Sequence, residues 1–180
     1  HMRVVIATPL YPPDIAPQAV YVKELAKRMS GEHTVTVVAY GSYPEEVPGV
    51  RIVSVSKRHP KLFRVLAFTW ELYRATRGAD ILYAENGPSV ELPVSLLTLL
   101  PHPRLIVHMG DSDAATRAEV SVPHGKLLTG MTKRAVHVET STPLTRPEIL
   151  PFAPRPEQEL AAYEESWKQH VSLVTTLCAL

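Results

Sequence analysis

The chain has 180 residues, 45% hydrophobic and 21% charged, with a net charge of +1. That supports one domain with a sizeable core, and it excludes an overall field that would recruit nucleic acid or membrane. The single cysteine, Cys178, excludes an internal disulfide framework and suits a reducing compartment.

His1-Met2 reads as a cloning remnant ahead of a natural start at Met2. The first apolar run is too short for a signal peptide, and no stretch reaches the roughly 20 apolar residues of a membrane span. A soluble cytoplasmic protein is expected. Residues 3–8 (RVVIAT) form a β-branched run with no turn residue, the pattern of a strand buried on both faces of a parallel sheet. Pro9, Pro12, Pro13 and Pro17 then exclude regular structure up to Pro17. From Gln18 to Ser30 the residues Val22, Leu25, Ala26 and Met29 recur at helical spacing, and Gly31 is placed to end the helix.

A second strand is expected at 34–39 and a third at 50–55, at a sheet edge because Arg51 and Ser54 interrupt it. Residues 61–76 carry a long helical stripe stopped by Gly78. Ile81–Ala84 reads as a fourth strand, and Ser89 as the cap of an almost wholly apolar, buried helix reaching Leu100. Arg104–His108 reads as a fifth strand. Two short helices are expected at 114–120 and 126–134, separated by Pro123-His124-Gly125, then a sixth strand at 135–139. The parts are thus residues 2–139, a proline-rich connecting segment at 140–156, and a last helix at 157–180 with an apolar stripe through Trp167. Strands alternating with helices predict a parallel sheet covered on both faces.

In such a sheet, ligands bind outside the carboxyl ends of the strands. The loops after the first, fourth and fifth strands offer Asp14 and Gln18; Glu85 and Asn86; and His108, Asp111 and Asp113. Each has a structural use as well: turn former, loop anchor or helix cap. Together they define a candidate cleft. The eight histidines show no metal-ligand spacing, so no metal site is expected. G-x-G-x-x-G, the P-loop and G-x-S-x-G are all missing, which removes the markers of dinucleotide oxidoreductases, P-loop nucleotidases and α/β-hydrolases. Lys57, Arg58, Lys61 and Arg64, with Leu62, Phe63, Phe68 and Trp70 among and after them, form a basic, aromatic helix start. It reads either as a core-packed helix with solvated cations or as a peripheral contact with an anionic membrane.

With these residues in view, the chain resembles the N-terminal, acceptor-side domain of a GT-B glycosyltransferase of the family 4 type. The resemblance rests on Val4-Val-Ile-Ala-Thr-Pro-Leu-Tyr-Pro-Pro-Asp-Ile15, Tyr21–Met29, His33–Val38, Asp80–Pro88 and Val107–Asp111, and covers about residues 3–139. It implies a Rossmann-like, three-layer sheet in the order 3-2-1-4-5-6, closed by the C-terminal helix packing back on the same domain. It also implies an acceptor cleft with His108 and Asp111 as catalytic candidates. Asp14, Ala16, Pro17, Gln18, Glu85, Asn86 and Gly110 would bind substrate. The donor would be a nucleotide sugar, with no resident cofactor, and the acceptor a sugar or glycolipid.

The sequence departs from the family at Ala16-Pro17, where two glycines usually let backbone approach the diphosphate. A second, donor-binding Rossmann-like domain is not found within these 180 residues. The resemblance therefore implies a half-enzyme, inactive alone, that works with a separate donor-binding chain or as a homo-oligomer. Two alternatives stay open: a non-catalytic binding or regulatory module derived from the fold, and a complete small enzyme using the cleft carboxylates.

Overall fold

The computed structural model describes residues 1–110, 122–147 and 155–180. They divide into two units, His1–Thr140 and Ser141–Leu180. The first unit holds strands β1 Arg3–Thr8, β2 Thr34–Tyr40, β3 Val50–Val55, β4 Ile81–Glu85, β5 Arg104–His108 and β6 His137–Glu139. Helices α1 Pro17–Met29, α2 Lys61–Thr76, α3 Pro88–Leu97 and α4 Val122–Arg134 lie between them. The second unit holds helix α5, Pro156–Ala179. Within that unit the Leu144 N–H donates to Ser166 Oγ at 2.8 Å, and the rings of Trp167 and His170 meet edge to face at 5.7 Å.

The sheet is parallel throughout, in the order β3-β2-β1-β4-β5-β6. This is the Rossmann-like order the resemblance implies, and β3 takes the predicted edge. The chain runs outward from β1 through β2 to β3, then returns to lay β4 against the other side of β1. The topological switch point therefore lies between β1 and β4, where Ala7 pairs with Ala84.

β1 is central because it is apolar on both faces, with Val4 to Thr8 buried. Val5 and Ala7 join Phe68 and Leu72 of α2, Val90, Val94 and Leu97 of α3, and Met131 of α4 in one core. Val4 and Ile6 alternate to the opposite face, on the side that α1 covers. Tyr40 stacks on Phe68 with ring centroids 4.5 Å apart. Gly78 takes a φ of 76° just after α2, a left-handed position that ends the helix as predicted.

Four local expectations are corrected. α1 ends at Ser30 in right-handed geometry, with its N–H on the Ala26 carbonyl, so Gly31 is not a left-handed cap. α3 begins at Pro88 with Gly87 before it, so Ser89 is not its cap. α3 also stops at Leu97, leaving Leu99 and Leu100 exposed rather than buried. It tolerates Pro93 in its interior for a visible reason. Pro93 cannot donate to the carbonyl four residues back, and that carbonyl, of Ser89, accepts the Tyr40 hydroxyl at 2.7 Å instead. Finally, α4 runs through Pro123-His124-Gly125 because the proline falls in the first turn, where its missing N–H has no partner to lose. The helix expected at 114–120 lies outside the described residues.

Candidate functional site

Two polar regions form along the carboxyl edge of the sheet. The first is built at the switch point. Glu85 ends β4 and His108 ends β5, and they are register partners. His108 Nδ1 lies 2.9 Å from Glu85 Oε2 and 2.8 Å from Oε1, so the nitrogen sits between the two carboxylate oxygens. Gln18, in the first turn of α1, donates its Nε2 to Glu85 Oε2 at 3.2 Å and to the Asn86 carbonyl at 3.0 Å. The Asn86 N–H donates to the His108 carbonyl at 3.1 Å. All four residues are buried, Glu85 completely. A buried carboxylate needs such partners, since removing it from water without them costs several kcal/mol.

Gly110 closes over this group. A Cβ there would come within 2.8 Å of Glu85 Oε2 and 3.0 Å of His108 Nδ1. Only glycine lets the backbone pass this close to the Glu85–His108 pair. The segment is fixed from the other side too, because the Met109 N–H donates to the Glu139 carbonyl at 2.8 Å.

Tyr21 stacks on the His108 ring at 4.5 Å, and Tyr83 lies behind at 5.9 Å. Their hydroxyls share a hydrogen bond of 2.9 Å. Burial, with the Glu85 charge adding to it, pushes both phenols well above their ordinary pKa of 10.0. They stay neutral and clamp the imidazole.

The second region is a cleft of about 470 Å³ at the carboxyl ends of β1, β2 and β3. Lys57, Lys61 and Arg64 line it together with Leu10, Val65, Leu92 and Leu127. Arg58 is exposed and stands outside it. Lys57 is held by Asp14, its Nζ 3.3 and 3.4 Å from the two carboxylate oxygens.

The sequence-predicted residues thus separate. Gln18, Glu85, Asn86, His108 and Gly110 come together. Asp14 belongs to the cleft side, where it also closes the loop after β1 by donating its N–H to the Tyr11 carbonyl at 3.1 Å. Ala16 and Pro17 form the start of α1, with Ala16 as an N-cap that makes no side-chain hydrogen bond and Pro17 in the first turn. Asp111 and Asp113 lie outside the described residues. Tyr21, Tyr83 and Glu139 were not singled out in the sequence. Glu139 is recoverable from it once β6 is aligned with β5, whereas the tyrosines become site residues only through the fold.

No family model matches the sequence, and no curated protein matches it. Solved structures do match. Sucrose-phosphate synthase from Thermosynechococcus elongatus superposes with a TM-score of 0.55 at 11% identity, over 77% of this chain and 42% of that one. The HepE protein of Anabaena, solved in complex with UDP and glucose, also gives 0.55 at 11% identity, over 92% of this chain and 41% of that one. At this identity the likeness is one of fold, an α/β Rossmann-like parallel sheet with its helices. The chain spans less than half the length of either structure.

Proposed function

We propose that this chain is the acceptor-side half of a GT-B sugar transferase of the family 4 type, completed by a donor-binding half outside these 180 residues. The observation that carries the reading is the buried Gln18–Glu85–His108 group at the switch point, with Gly110 packed over it. That group holds the Met109–Gly110 backbone after β5, and Asp111 is the next residue in the sequence. The glycosyltransferase fold of the two structural neighbours supports it.

In this reading Asp111 binds the acceptor hydroxyl. The hydroxyl oxygen forms a bond to the anomeric carbon of a nucleotide sugar, the bond from that carbon to the diphosphate breaks, and the hydroxyl proton leaves with the diphosphate. His108 is 1% exposed, so in this reading it acts as a positioning residue, holding the Gly110 backbone through Glu85 and the tyrosine stack. No resident cofactor takes part. The cytoplasm is the expected compartment, and among the described residues no helix is long and apolar enough to cross a membrane.

The test is a transfer assay with labelled nucleotide sugars and sugar or glycolipid acceptors, for the chain alone and with a donor-side partner. No turnover is expected alone. With the partner, transfer is expected, falling roughly 100-fold or more in Asp111→Asn. Turnover by the 180 residues alone, or an Asp111→Asn variant as active as the parent, overturns the proposal.

A second reading, a non-catalytic module, is favoured by one observation. Pro17 in the first turn of α1 removes a backbone N–H from the loop that would face the donor diphosphate, and Ala16 fills space beside it. It predicts acceptor binding with no transfer beside any donor half.

A further inference from the structure

The amino edge of the sheet, opposite the switch point, carries a pocket of about 480 Å³ between the end of α2 and the turn after α3. Tyr73, Arg77, Gly78, Leu100 and His102 line it, ahead of β4 and β5. That volume falls in the range of small-ligand sites. None of these residues belongs to the two polar regions at the carboxyl edge.

The lining offers donors and an acceptor. Arg77 holds its guanidinium carbon 5.9 Å from the centre of the Tyr73 ring. Among the described residues it has no carboxylate partner, whereas Arg74, three residues earlier, pairs with Glu71 at 3.6 Å. Arg3 Nη1 lies 3.5 Å from the place a Cβ on Gly78 would take. A second guanidinium, also without a carboxylate partner, therefore stands at the same turn. Asp80 Oδ2 is already taken by the Arg3 backbone N–H at 2.8 Å. A guanidinium presents a planar fork of donors that suits a carboxylate. His102 has the opposite character. Its Nδ1 is 2.7 Å from the Pro103 carbonyl, which can only accept. Nδ1 therefore carries the proton, and the neutral ring leaves Nε2 as a lone-pair acceptor.

An aromatic platform extends the rim. Trp70 stacks on Tyr73 at 6.0 Å, with Arg77 on Tyr73 in turn, so the three side chains form a ladder along one side of α2. Trp70 is 58% exposed. The face of an aromatic ring is negative and attracts C–H groups, and a pyranose ring presents a face of C–H groups with hydroxyls at its rim. The ladder takes two steps of about 6 Å, a span for consecutive sugar rings.

We propose that this pocket binds an acidic oligosaccharide, with a ring carboxylate on Arg77, a hydroxyl donating to His102 Nε2, and a neighbouring ring laid on Trp70. The inference concerns a surface remote from the acceptor cleft and does not rest on the transferase reading.

The test is calorimetric titration of the 180-residue chain with tetragalacturonate, with maltotetraose as the uncharged sugar and citrate as the anion without sugar. Saturable binding is expected for tetragalacturonate, and binding roughly tenfold weaker or less for the other two, the factor a charged hydrogen bond supplies. R77Q should weaken tetragalacturonate binding roughly tenfold. R77K should recover only part of it, because a point charge lacks the fork. W70Q should weaken it roughly fivefold. Arg77 and Trp70 are both exposed, so circular dichroism should be unchanged in these variants. K61Q/R64Q, in the cleft at the other edge, should keep the parent affinity. Equal binding of maltotetraose or citrate, full affinity in R77Q, or no saturable binding of tetragalacturonate would overturn the proposal. A loss in K61Q/R64Q would overturn it too, by moving the ligand to the cleft.

Discussion

The two polar regions on one sheet edge follow opposite rules. At the switch point, Gln18, Glu85, Asn86 and His108 are buried and spend their hydrogen bonds on one another. Beside β3, Lys61 and Arg64 face a cleft, and among the described residues neither has a carboxylate partner. The first region resembles a keystone: its polarity is consumed in tying the ends of β4 and β5 together under the Gly110 backbone. The second keeps its charge available. Polar groups that satisfy each other shape a site, and polar groups left unsatisfied bind something.

This contrast is broken most easily at Glu85. Glu85→Ala removes the buried carboxylate that His108 Nδ1 and the Gln18 amide share, leaving Gln18 the Asn86 carbonyl, and should cost about 3–5 kcal/mol of unfolding free energy. Denaturant unfolding measures it, with Lys61→Ala as the opposite case at about 0.5 kcal/mol or less. A loss below about 1 kcal/mol at Glu85 would show that the group is not structural. Gly110→Ala comes next. Its Cβ would press on Glu85 Oε2 and His108 Nδ1, and about 1–3 kcal/mol should be lost. A neutral result would mean that the backbone can move away.

Alkaline pH probes the buried tyrosines, Tyr21 and Tyr83 in this region and Tyr11 in the loop after β1. Burial raises Tyr21 and Tyr83 well above 10.0, and raises Tyr11 to about 12 with the charge of Glu45 contributing. The unfolded chain loses these protons first. Stability should therefore hold below about pH 10 and fall as pH rises through the range between the unfolded and folded values. Urea melts between neutral pH and about pH 11 read this directly, and Tyr11→Phe should flatten part of the fall. The smallest effect is expected at the Asp14–Lys57 pair, which is partly exposed on both sides. Asp14→Asn should cost about 0–1 kcal/mol, less at high salt, as differential scanning calorimetry would show.

Much of this architecture was legible in the sequence. The run from Val4 to Thr8 had no polar interruption and became the central strand, while Arg51 and Ser54 marked β3 as an edge. Gly78 ended α2 because its left-handed φ is cheap only for glycine. Local signals misled where a distant partner decided the outcome. The helix runs through Pro93, as read, but the reason lies far away in the sequence: Tyr40 takes the Ser89 carbonyl that Pro93 leaves free. Ser89 looks like a cap until Gly87 is found in that place. The polar group at the switch point was half legible. Strand ends pointed to Glu85 and His108, but Tyr21 and Tyr83 meet across 62 positions, a separation no local pattern encodes.

The half-enzyme reading is tested most directly by calorimetric titration of the 180-residue chain with UDP and a panel of nucleotide sugars. In the proposed reading the donor half lies outside these 180 residues. No saturable binding is therefore predicted. Micromolar binding, retained in K61Q/R64Q, would contradict it by showing that this one Rossmann-like sheet holds the donor.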